Sequence, residues 1–523
     1  MFCALKYRKE VIKMKKILSV VLAASMLCGL CSCGKKQTTA VDVESEFDKK
    51  LTFSITSIVA EDQFGPEVDY IKKKFNIDFD IYNITEADWG EKVRIWMATG
   101  NMPDIMQASI NNKNFAEYMQ WAQQGLLREI PDLSNYPKLQ ALVDGHDCDD
   151  YFMVDGKRYA WVSPNNYYDL KGELPQTGGY SFIYRRDWAK KVGLYKEGDV
   201  YTWKEFEEMA RAFKEQNPSG NSAGTIPLLG DIFPHFAGIM QYSPYWEQYK
   251  KIDGEYVWCM DLPETTEALK WANNMYKEGI LWQDQNVAKS KDATNKFVSG
   301  EAGILFTLVA DYNIDSIFKN MKSILTDINI GEDVAEMYVT APDGKMWGQF
   351  SINYLYATMF SPKMTEEKME RILSIFEWYL SDEGIEMAKY GMKDYNYTVD
   401  EAGNKTIIKD SLRGCPFVTK AMVSGVKKED NKSEQIYSKE TLDLCDRFEE
   451  KMLTSDTSSF RKYDYELYFF TGEKYMQYGS YYYDGCETIK RLITAPGDPT
   501  AEWEAWKNSV RPKINEVLAE LNN

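Results

Sequence analysis

The sequence predicts an α/β fold, and the first folded stretch carries three observations that predict it. Residues 51–60, LTFSITSIVA, alternate around β-forming side chains and predict an opening strand. The next segment, GPEVDYIKKKFN, places Val68, Ile71 and Phe75 on one helical face. IDFDIYNI then predicts a second strand, WGEKVRIWMATG a helix that stops at Gly100, and PDIM a short buried strand. This alternation of strands and helices implies a parallel sheet with helical crossovers.

Later in the chain, helices alternate with short strands in the same way. The predicted helices include TWKEFEEMARAFKEQ, TTEALKWANNMYKEG, TEEKMERILSIFEWYLSDEGIEMAKYG and the terminal PTAEWEAWKNSVRPKINEVLAELNN. We find no internal repeat. If the folded part begins near Leu51, its roughly 470 residues suit two or three domains.

The N-terminal segment has the pattern of a secretory signal peptide. Lys15 and Lys16 precede an apolar or small-residue run over residues 17–30. That run is shorter than the about 20 residues that a membrane span needs, but it has the length of a signal-peptide core. The polar lead before it predicts that translation starts at Met14. We therefore expect residues 1–32 to be removed as a signal peptide.

Three cysteines crowd the end of this run, and one of them stands at a processing site. Cys33 has the small residue Ser32 directly before it, so the stretch LCSC resembles the lipobox of bacterial lipoproteins. Cys28 and Cys31 would each place a bulky leucine at the cut. The resemblance implies that Cys33 carries a lipid and becomes the new N-terminus, while the other two are discarded. Secretion without a lipid remains the alternative, and a zinc site is disfavoured because no histidine accompanies the cysteines.

Charge and composition narrow the classes of function. Removing residues 1–32, which hold six basic residues and one acidic (net +5), takes the formal net charge from −18 to about −23. Nucleic acid and anionic lipid are disfavoured as partners, since both bind basic surfaces. Residues 33–50 are charged and poor in apolar side chains, which predicts a flexible tether after Cys33. Aromatic residues make up 14% of the chain, and such side chains stack on the apolar faces of sugar rings.

The remaining cysteines and histidines form no metal-binding or redox pattern. Five cysteines follow Cys33 without a C-x-x-C pair, at positions 148, 259, 415, 445 and 486. Their odd number and wide spacing predict neither a metal site nor a disulfide scaffold. His146 and His235 are the only histidines, which disfavours both His-ligated metals and His-dependent catalysis.

The loop NPSGNSAGTIPL contains two motifs that we reject as functional sites. GNSAG matches the nucleophile-elbow pattern at Ser222, but a helix leads into it and a strand leads out, the reverse of the required order. The loop also has oxygen side chains at alternate positions, as a calcium loop does: Asn217, Ser219 and Asn221. All three side chains are neutral, and the twelfth position of the loop is Leu228. We therefore predict that no metal binds here. If one did bind, these three residues would be its candidate ligands. Phosphate-loop, dinucleotide and H-E-x-x-H motifs are absent, and we predict no cofactor.

Phrases spread over nearly all of residues 51–523 resemble one family. They are MATGNMPDIM, VDGKRYAWVSP, YSFIYRRDWAKKVGL, YTWKEFEEMARAFKEQNPSGN, ALKWANNMYKEGIL, FVSGEAGILF, WYLSDEGIEMAKYG and PGDPTAEWEAW. In this order, after a lipobox, they resemble the extracellular solute-binding proteins of bacterial ABC importers, in particular the large carbohydrate-type family. The neutral NPSGN departs from the acidic calcium-like loop of many relatives, which puts a metal in doubt.

The resemblance implies a two-lobed periplasmic-binding-protein-like fold with multiple hinge crossings. Lobe 1 would comprise residues 51–165 plus about 350–395, and lobe 2 about 166–349 plus 396–523. The implied function is to capture an oligosaccharide between the lobes and deliver it to ABC permease subunits. The protein would be a monomer, anchored outside the cytoplasm by its N-terminal lipid, and would perform no chemistry.

The candidate binding residues are those that follow the predicted strands. In open α/β sheets the ligand crevice lies at the carboxyl ends of strands. Aromatic faces supply stacking there, and amides and carboxylates supply directional hydrogen bonds to sugar hydroxyls. The predicted ligand-binding residues are Glu61, Asp62, Gln63, Asn111, Asn165, Tyr167, Tyr168, Tyr242, Trp246 and Trp347, with Ser109 beside them.

Two functions of other classes remain open at this stage. A surface glycoside hydrolase would use two paired carboxylates, and the 80 acidic residues allow many pairs without singling one out. A glycan-capture adhesin would bind sugar without a transporter. Within the binding-protein hypothesis, peptide and amino-sugar ligands also stay open, because aromatic clefts serve several classes of ligand.

Overall fold

The structure is a computed structural model, and it describes most of the chain after the N-terminal segment. The described residues are 43–57, 64–84, 88–110, 114–145, 148–164, 179–230, 248–288, 291–349, 354–403, 405–408, 437–461, 464–479 and 481–523. Contacts group Ser45–Asn523 into one compact unit. Within the described residues, no helix is both long enough and apolar enough to cross a membrane.

Strands and helices alternate along the chain, as the sequence predicts. The strands are β1 Leu51–Ser57, β2 Ile77–Asn83, β3 Ile105–Ala108, β4 Met153–Val154, β5 Lys157–Arg158, β6 Ala160–Pro164, β7 Tyr180–Arg185, β8 Val200–Thr202, β9 Ile226–Gly230, β10 Tyr249–Ile252, β11 Glu255–Trp258, β12 Ala302–Leu308, β13 Val334–Thr340, β14 Met346–Gln349, β15 Tyr354–Phe360, β16 Tyr397–Val399, β17 Lys405–Ile407 and β18 Ser458–Arg461. The helices are α1 Pro66–Lys74, α2 Trp89–Thr99, α3 Phe115–Gln123, α4 Pro137–Asp144, α5 Arg186–Lys191, α6 Trp203–Gln216, α7 Pro263–Lys277, α8 Asp292–Val298, α9 Asp311–Ile324, α10 Ile330–Asp333, α11 Glu366–Tyr379, α12 Asp382–Tyr390, α13 Lys439–Thr454, α14 Tyr465–Tyr468, α15 Glu473–Tyr478, α16 Tyr481–Ile493 and α17 Thr500–Leu521.

The first large sheet has the strand order β2-β1-β3-β15-β6. β1 pairs in parallel with β2 and β3, whereas β15 is antiparallel to both β3 and β6. Strands β1, β2, β3 and β6 therefore point the same way, and their carboxyl ends share one edge with the amino end of β15. We call this the carboxyl edge of the first sheet.

The second large sheet has the order β8-β13-β7-β12-β9. β12 is parallel to β9 and β13 is parallel to β8, while β7 runs antiparallel to β12 and β13. The carboxyl ends of β8, β9, β12 and β13 thus share an edge with the amino end of β7. The chain passes from β6 to β7 between the two carboxyl edges, and it returns to the carboxyl edge of the first sheet at β15. The predicted two-lobed fold with several crossings is confirmed.

Helices cover both faces of each sheet, as the burial of consecutive residues within the same strand shows. In β7, Phe182 packs into one apolar cluster and Ile183 into another, because successive side chains in a strand point to opposite faces. Ile105 and Met106 divide between two further clusters in β3. A strand buried on both faces is continuously apolar, as in AGILF of β12.

The local predictions for the first stretch are confirmed. Val68, Ile71 and Phe75 are all buried against the first sheet. Gly100 ends α2 with a φ of 62°, in the left-handed region where a side chain is costly. Tyr184 and Trp188, at the junction of β7 and α5, are also buried.

One predicted helix is divided in the structure. The segment that we expected to be helical through residues 365–391 breaks between α11 and α12, where the Ser381 hydroxyl accepts a hydrogen bond from the Gly384 N–H. A Cβ on Gly384 would lie 2.1 Å from the Trp378 carbonyl oxygen, so glycine is required at this close approach. Helical periodicity persists across the break, which is why the pattern alone did not show it.

A capping box fixes the start of α6 at the carboxyl end of β8. The Glu205 N–H donates to the Thr202 hydroxyl, and the Glu205 carboxylate accepts from the Thr202 N–H at 2.8 Å. Lys196 also donates to this carboxylate, at 2.8 Å. Hydrogen bonds from Lys196 and from the Thr202 backbone lower the pKa of Glu205 to about 2. The helix therefore begins directly at the carboxyl edge of the second sheet.

A short aromatic segment, Asp464–Phe470, contacts the cores of both sheets, and we call it the strap. Phe469 is buried in the first-sheet cluster that contains Met106, while Leu467 and Phe470 pack on the second-sheet cluster that contains Phe182. The lobe boundaries proposed from the sequence stay a prediction. The strap shows that the C-terminal part of the chain reaches both sheets.

Candidate functional site

A pocket of about 190 Å³ lies at the carboxyl edge of the first sheet, between α2 and α3. We call it the α2–α3 pocket. Its apolar walls come from Trp89 and Val93 of α2, Ala108 at the end of β3, Trp121 of α3 and Tyr356 of β15. Trp89, Val93, Ala108 and Trp121 are buried in the protein core on their far side. The pocket therefore presents two indoles and a phenol ring on a rigid floor.

The rim of the pocket is polar. Arg94 and Glu117 face each other across it, with the Arg94 Nε 3.5 Å from a Glu117 carboxylate oxygen. Asn114 lies beside them and donates its amide N–H to the Ser109 carbonyl oxygen at 2.7 Å. The exposed residues Ser109 and Gly90 complete the opening. Hydrogen-bond donors and acceptors thus surround an aromatic interior.

Buried hydrogen bonds hold the aromatic walls in place. The Trp89 Nε1–H donates to the Gln107 carbonyl oxygen at 2.7 Å, which fixes the indole against β3. Behind the floor, the Tyr118 hydroxyl donates to the Phe152 carbonyl oxygen at 2.6 Å. Burial raises the pKa of Tyr118, so this residue remains a neutral donor. The pocket is preorganised, because its walls need no rearrangement to stay open.

Among the described residues at the carboxyl edge of the second sheet, Tyr312 is a prominent exposed aromatic residue. It follows β12 in the first turn of α9, and 63% of its surface is exposed. The turn beneath it is fixed by Asn313, whose amide donates to the Leu308 carbonyl oxygen at 2.7 Å and to the Thr307 hydroxyl at 3.1 Å. An exposed ring on a fixed turn is a ready stacking surface.

Most of the ligand-binding residues predicted from the sequence lie outside the described residues. These are Glu61, Asp62, Gln63, Asn111, Asn165, Tyr167, Tyr168, Tyr242 and Trp246. The strands that precede them, β1, β3, β6 and β9, all end at the carboxyl edges of the two sheets. Their assignment to the site stays a prediction.

Two of the sequence-based candidates are described. Ser109 is exposed and lines the α2–α3 pocket, as its place after β3 predicts. Trp347 lies on β14, which pairs with β18, and its Nε1–H donates to the Asp343 carboxylate at 3.0 Å. The Lys345 ammonium lies 5.4 Å from the centre of the Trp347 ring. Trp347 does not line the α2–α3 pocket, and its role in binding stays a prediction.

The sequence analysis missed the aromatic walls of the pocket. Trp89 shares the helical stripe of Val93 and Met97, so its spacing indicates a core residue. Trp121 lies on the buried face of α3 in the same way. The rule that we applied to the other sites could have found Tyr312 had β12 been predicted, because Tyr312 closely follows that strand.

The loop with calcium-like spacing is closed by its own hydrogen bonds. The Asn217 side-chain oxygen accepts from the hydroxyls of Ser219 at 2.8 Å and Thr225 at 2.9 Å. The Asn221 side-chain oxygen accepts from the Ala223 N–H at 3.1 Å. Thr225 also donates to the Ser219 hydroxyl oxygen at 2.8 Å. The candidate metal ligands therefore face one another, and none of the described residues forms a group of three or more His, Cys, Asp or Glu side chains able to hold a metal.

The fold and the site together define a two-lobed binding protein of the periplasmic type. Each large sheet has one edge at which the carboxyl ends of its strands gather, and the α2–α3 pocket with its polar rim lies at that edge of the first sheet. The chain belongs to the bacterial extracellular solute-binding protein family, whose model matches residues 57–364.

Relatives and solved structures agree with this assignment. The chain is 22% identical over 400 residues to the polygalacturonan/rhamnogalacturonan-binding protein YtcQ of Bacillus subtilis, covering 74% of each chain. It is 23% identical over 421 residues to lipoprotein LipO of the same organism, covering 75% of this chain and 77% of LipO. The crystal structure of the alginate-binding protein AlgQ2 without calcium ion matches with a TM-score of 0.64 at 16% identity, over 91% of this chain and 98% of AlgQ2. This last similarity concerns the fold.

Proposed function

We propose that this protein captures an oligosaccharide between its two lobes and delivers it, chemically unchanged, to the permease of an ABC importer. The observation that carries the proposal is the α2–α3 pocket, which combines aromatic faces with a polar rim where the strands end. Aromatic rings supply contact area for the apolar faces of sugars, while amide and charged groups supply directed hydrogen bonds. Tyr312 offers a second ring at the edge of the other sheet.

The names of two compared proteins support a carbohydrate ligand. YtcQ is named for binding polygalacturonan/rhamnogalacturonan, and AlgQ2 is named for binding alginate. YtcQ aligns with 74% of this chain in sequence, and AlgQ2 shares its fold over 91% of it. The residues predicted after the strands, from Glu61 to Trp347, are proposed as further ligand contacts in the cleft between the two lobes.

Capture follows from a hinge motion, because the ligand shifts the equilibrium between the open and closed forms. If both lobes contact the sugar only when closed, binding stabilises the closed form by the difference in contact energy. Lobe 1 is proposed to comprise residues 51–165 plus about 350–395, and lobe 2 about 166–349 plus 396–523. The permease would then distinguish the closed, loaded protein from the open one.

The protein is proposed to work outside the cytoplasm as a lipid-anchored monomer. Its family is extracellular, and its relative LipO is a lipoprotein. Cys33 would carry the lipid, and the charged segment after it would act as a tether.

Thermal unfolding of the chain from Ser45 onward against a panel of ligands tests the function. The panel contains fragments of polygalacturonan, rhamnogalacturonan and alginate, neutral glucans and mannans, and short peptides. We expect one oligosaccharide to add about 2.7 kcal/mol to the free energy of unfolding at 100-fold its dissociation constant. It should be recovered unchanged. Recovery of a cleaved sugar would favour the hydrolase, and stabilisation by peptides alone would overturn the carbohydrate assignment.

Replacing Tyr312 by alanine tests whether the sugar that stabilises the protein binds at Tyr312. We expect about tenfold weaker binding of the stabilising sugar, since loss of one stacked ring costs about 1.4 kcal/mol in stacking and buried area. Tyr195→Ala is the matched control, because Tyr195 is also exposed, at 37%, but lies before the amino end of β8, away from the carboxyl edge. Equal affinity in the two variants would exclude Tyr312 from the site.

A further inference from the structure

We propose that the α2–α3 pocket is a subsite for a single terminal sugar ring, so that the protein recognises the end of its oligosaccharide. This inference rests on the proposed function and specifies which part of the ligand enters lobe 1. It requires that the pocket be small, closed at its inner end and chemically matched to one ring.

The size of the pocket fits one ring and excludes a longer piece of ligand. Its volume is about 190 Å³. Pockets that enclose drug-sized ligands measure about 300 to 1,000 Å³, so this one is too small for a disaccharide to enter completely.

The inner end of the pocket is closed by core residues. Val93 and Ala108 form the floor, and Met97 and Met106 of the same apolar cluster lie behind them, all buried. A polysaccharide chain cannot pass through this floor. A ring can enter only if the sugar stops there, which makes the bound ring a chain end.

The lining of the pocket matches the two faces of a pyranose. The Trp89 and Trp121 indoles, 7% and 9% exposed, and the half-buried Tyr356 ring supply small apolar contact areas, whereas Asn114, Glu117 and Arg94 lie at the rim, where ring hydroxyls would emerge. The Arg94–Glu117 contact is weak, since its atoms are 3.5 Å apart and the side chains are 65% and 39% exposed. Sugar hydroxyls can therefore replace it at little cost.

Gly90 allows the pocket to be filled without disturbing its walls. It lines the pocket in the first turn of α2, and a Cβ added there meets no heavy atom within 4 Å. Gly90→Phe should occupy the mouth with a ring while leaving every core contact in place. Gly90→Ala is the control, because it keeps the mouth open and should slightly stabilise the helix.

The experiment measures the affinity of both variants by calorimetry for each panel oligosaccharide that stabilises the unsubstituted chain. We expect Gly90→Phe to bind at least tenfold more weakly, with an unchanged unfolding transition in the absence of sugar. Gly90→Ala should stay within twofold of the unsubstituted chain. Full affinity in Gly90→Phe would overturn the subsite.

Blocked sugars test the recognition of chain ends directly. Each binding oligosaccharide is compared with a form coupled to 2-aminobenzamide at its reducing end and a form benzylated on its non-reducing ring. We expect one of the two, and only one, to bind at least tenfold more weakly. Equal binding of all three forms would overturn end recognition and leave the proposed function standing. If no sugar binds even the unsubstituted chain, both the function and the subsite fall.

Discussion

Cells that produce the Cys33→Ser variant are expected to attach no lipid to this protein. Lipoprotein processing needs the cysteine thiol as the acceptor of the lipid, and serine does not provide it. Each buried CH₂ of an acyl chain contributes about 0.8 kcal/mol to membrane attachment, so loss of the chains removes the anchor. Metabolic labelling with an alkyne analogue of palmitate, followed by gel detection, measures this as presence or absence of label.

The neighbouring cysteines supply the matched controls for this prediction. Cys28→Ser and Cys31→Ser change the same atom within the same segment, LCGLCSC. If processing occurs at Cys33, both variants lose those residues with the leader and keep full labelling. Persistent label in Cys33→Ser, or its loss in Cys31→Ser, would place the processing site elsewhere. Absence of label from the unsubstituted protein would favour ordinary secretion.

The sequence was sufficient to predict the α/β class and the first elements because its periodicities report burial directly, whereas the two-lobed arrangement was implied by the family resemblance. β1, α1 and β2 occur in the predicted order, and the predicted face of α1 is the buried one. Gly100 ends its helix as predicted. Such patterns depend on neighbouring residues only, and a strand or helix must bury its apolar side whatever the rest of the chain does.

The α2–α3 pocket was harder to predict because it is built from residues that also belong to the core. Trp89 has the sequence spacing of a core residue, because one side of it is buried. It becomes a wall of the pocket only through its tertiary arrangement with Trp121 and Tyr356. The distance between these residues in the sequence leaves no local signal. The sequence located the edge of the sheet, through Ser109, but not the cavity beside it.

In the loop around Asn217 the prediction rested on residue types rather than on spacing, and the absence of a metal stays a prediction. Calcium loops need carboxylates to offset the cost of dehydrating the ion, and this loop has neutral side chains. In the structure Thr225 donates to the Asn217 oxygen at 2.9 Å, so a hydroxyl proton lies where a cation would have to compete. Chemistry rather than spacing decided the prediction against a metal.

Replacing Phe469 by alanine is expected to cost about 3 to 5 kcal/mol of stability, the usual range for deleting a buried phenylalanine ring. Phe469 is 5% exposed, and its ring centre lies 4.6 Å from that of Tyr151 and 4.8 Å from that of Phe115. The strap that carries it is tied to β11 through Asp464, whose carboxylate accepts from the hydroxyl of Tyr256, a member of the apolar cluster that contains Phe182, at 2.8 Å. The substitution therefore removes both an anchor of the first-sheet core and one link between the lobes.

The labelling of two buried thiols distinguishes a local from a global loss of stability in Phe469→Ala. Cys148 is buried in the same cluster as Phe469, whereas Cys445 is buried in a cluster of the second sheet. At about 1.4 kcal/mol per factor of ten, the loss should speed labelling of Cys148 by a thiol reagent by roughly two to three and a half orders of magnitude. Mass spectrometry reads each site separately, and Leu453→Ala, at an exposed position, should alter neither rate. If the labelling rates of Cys148 and Cys445 rose equally, the two lobes would open together. The strap, rather than the first-sheet core alone, would then govern the coupling between the lobes. An unchanged Cys148 rate would show that the Phe469 ring does not anchor that core.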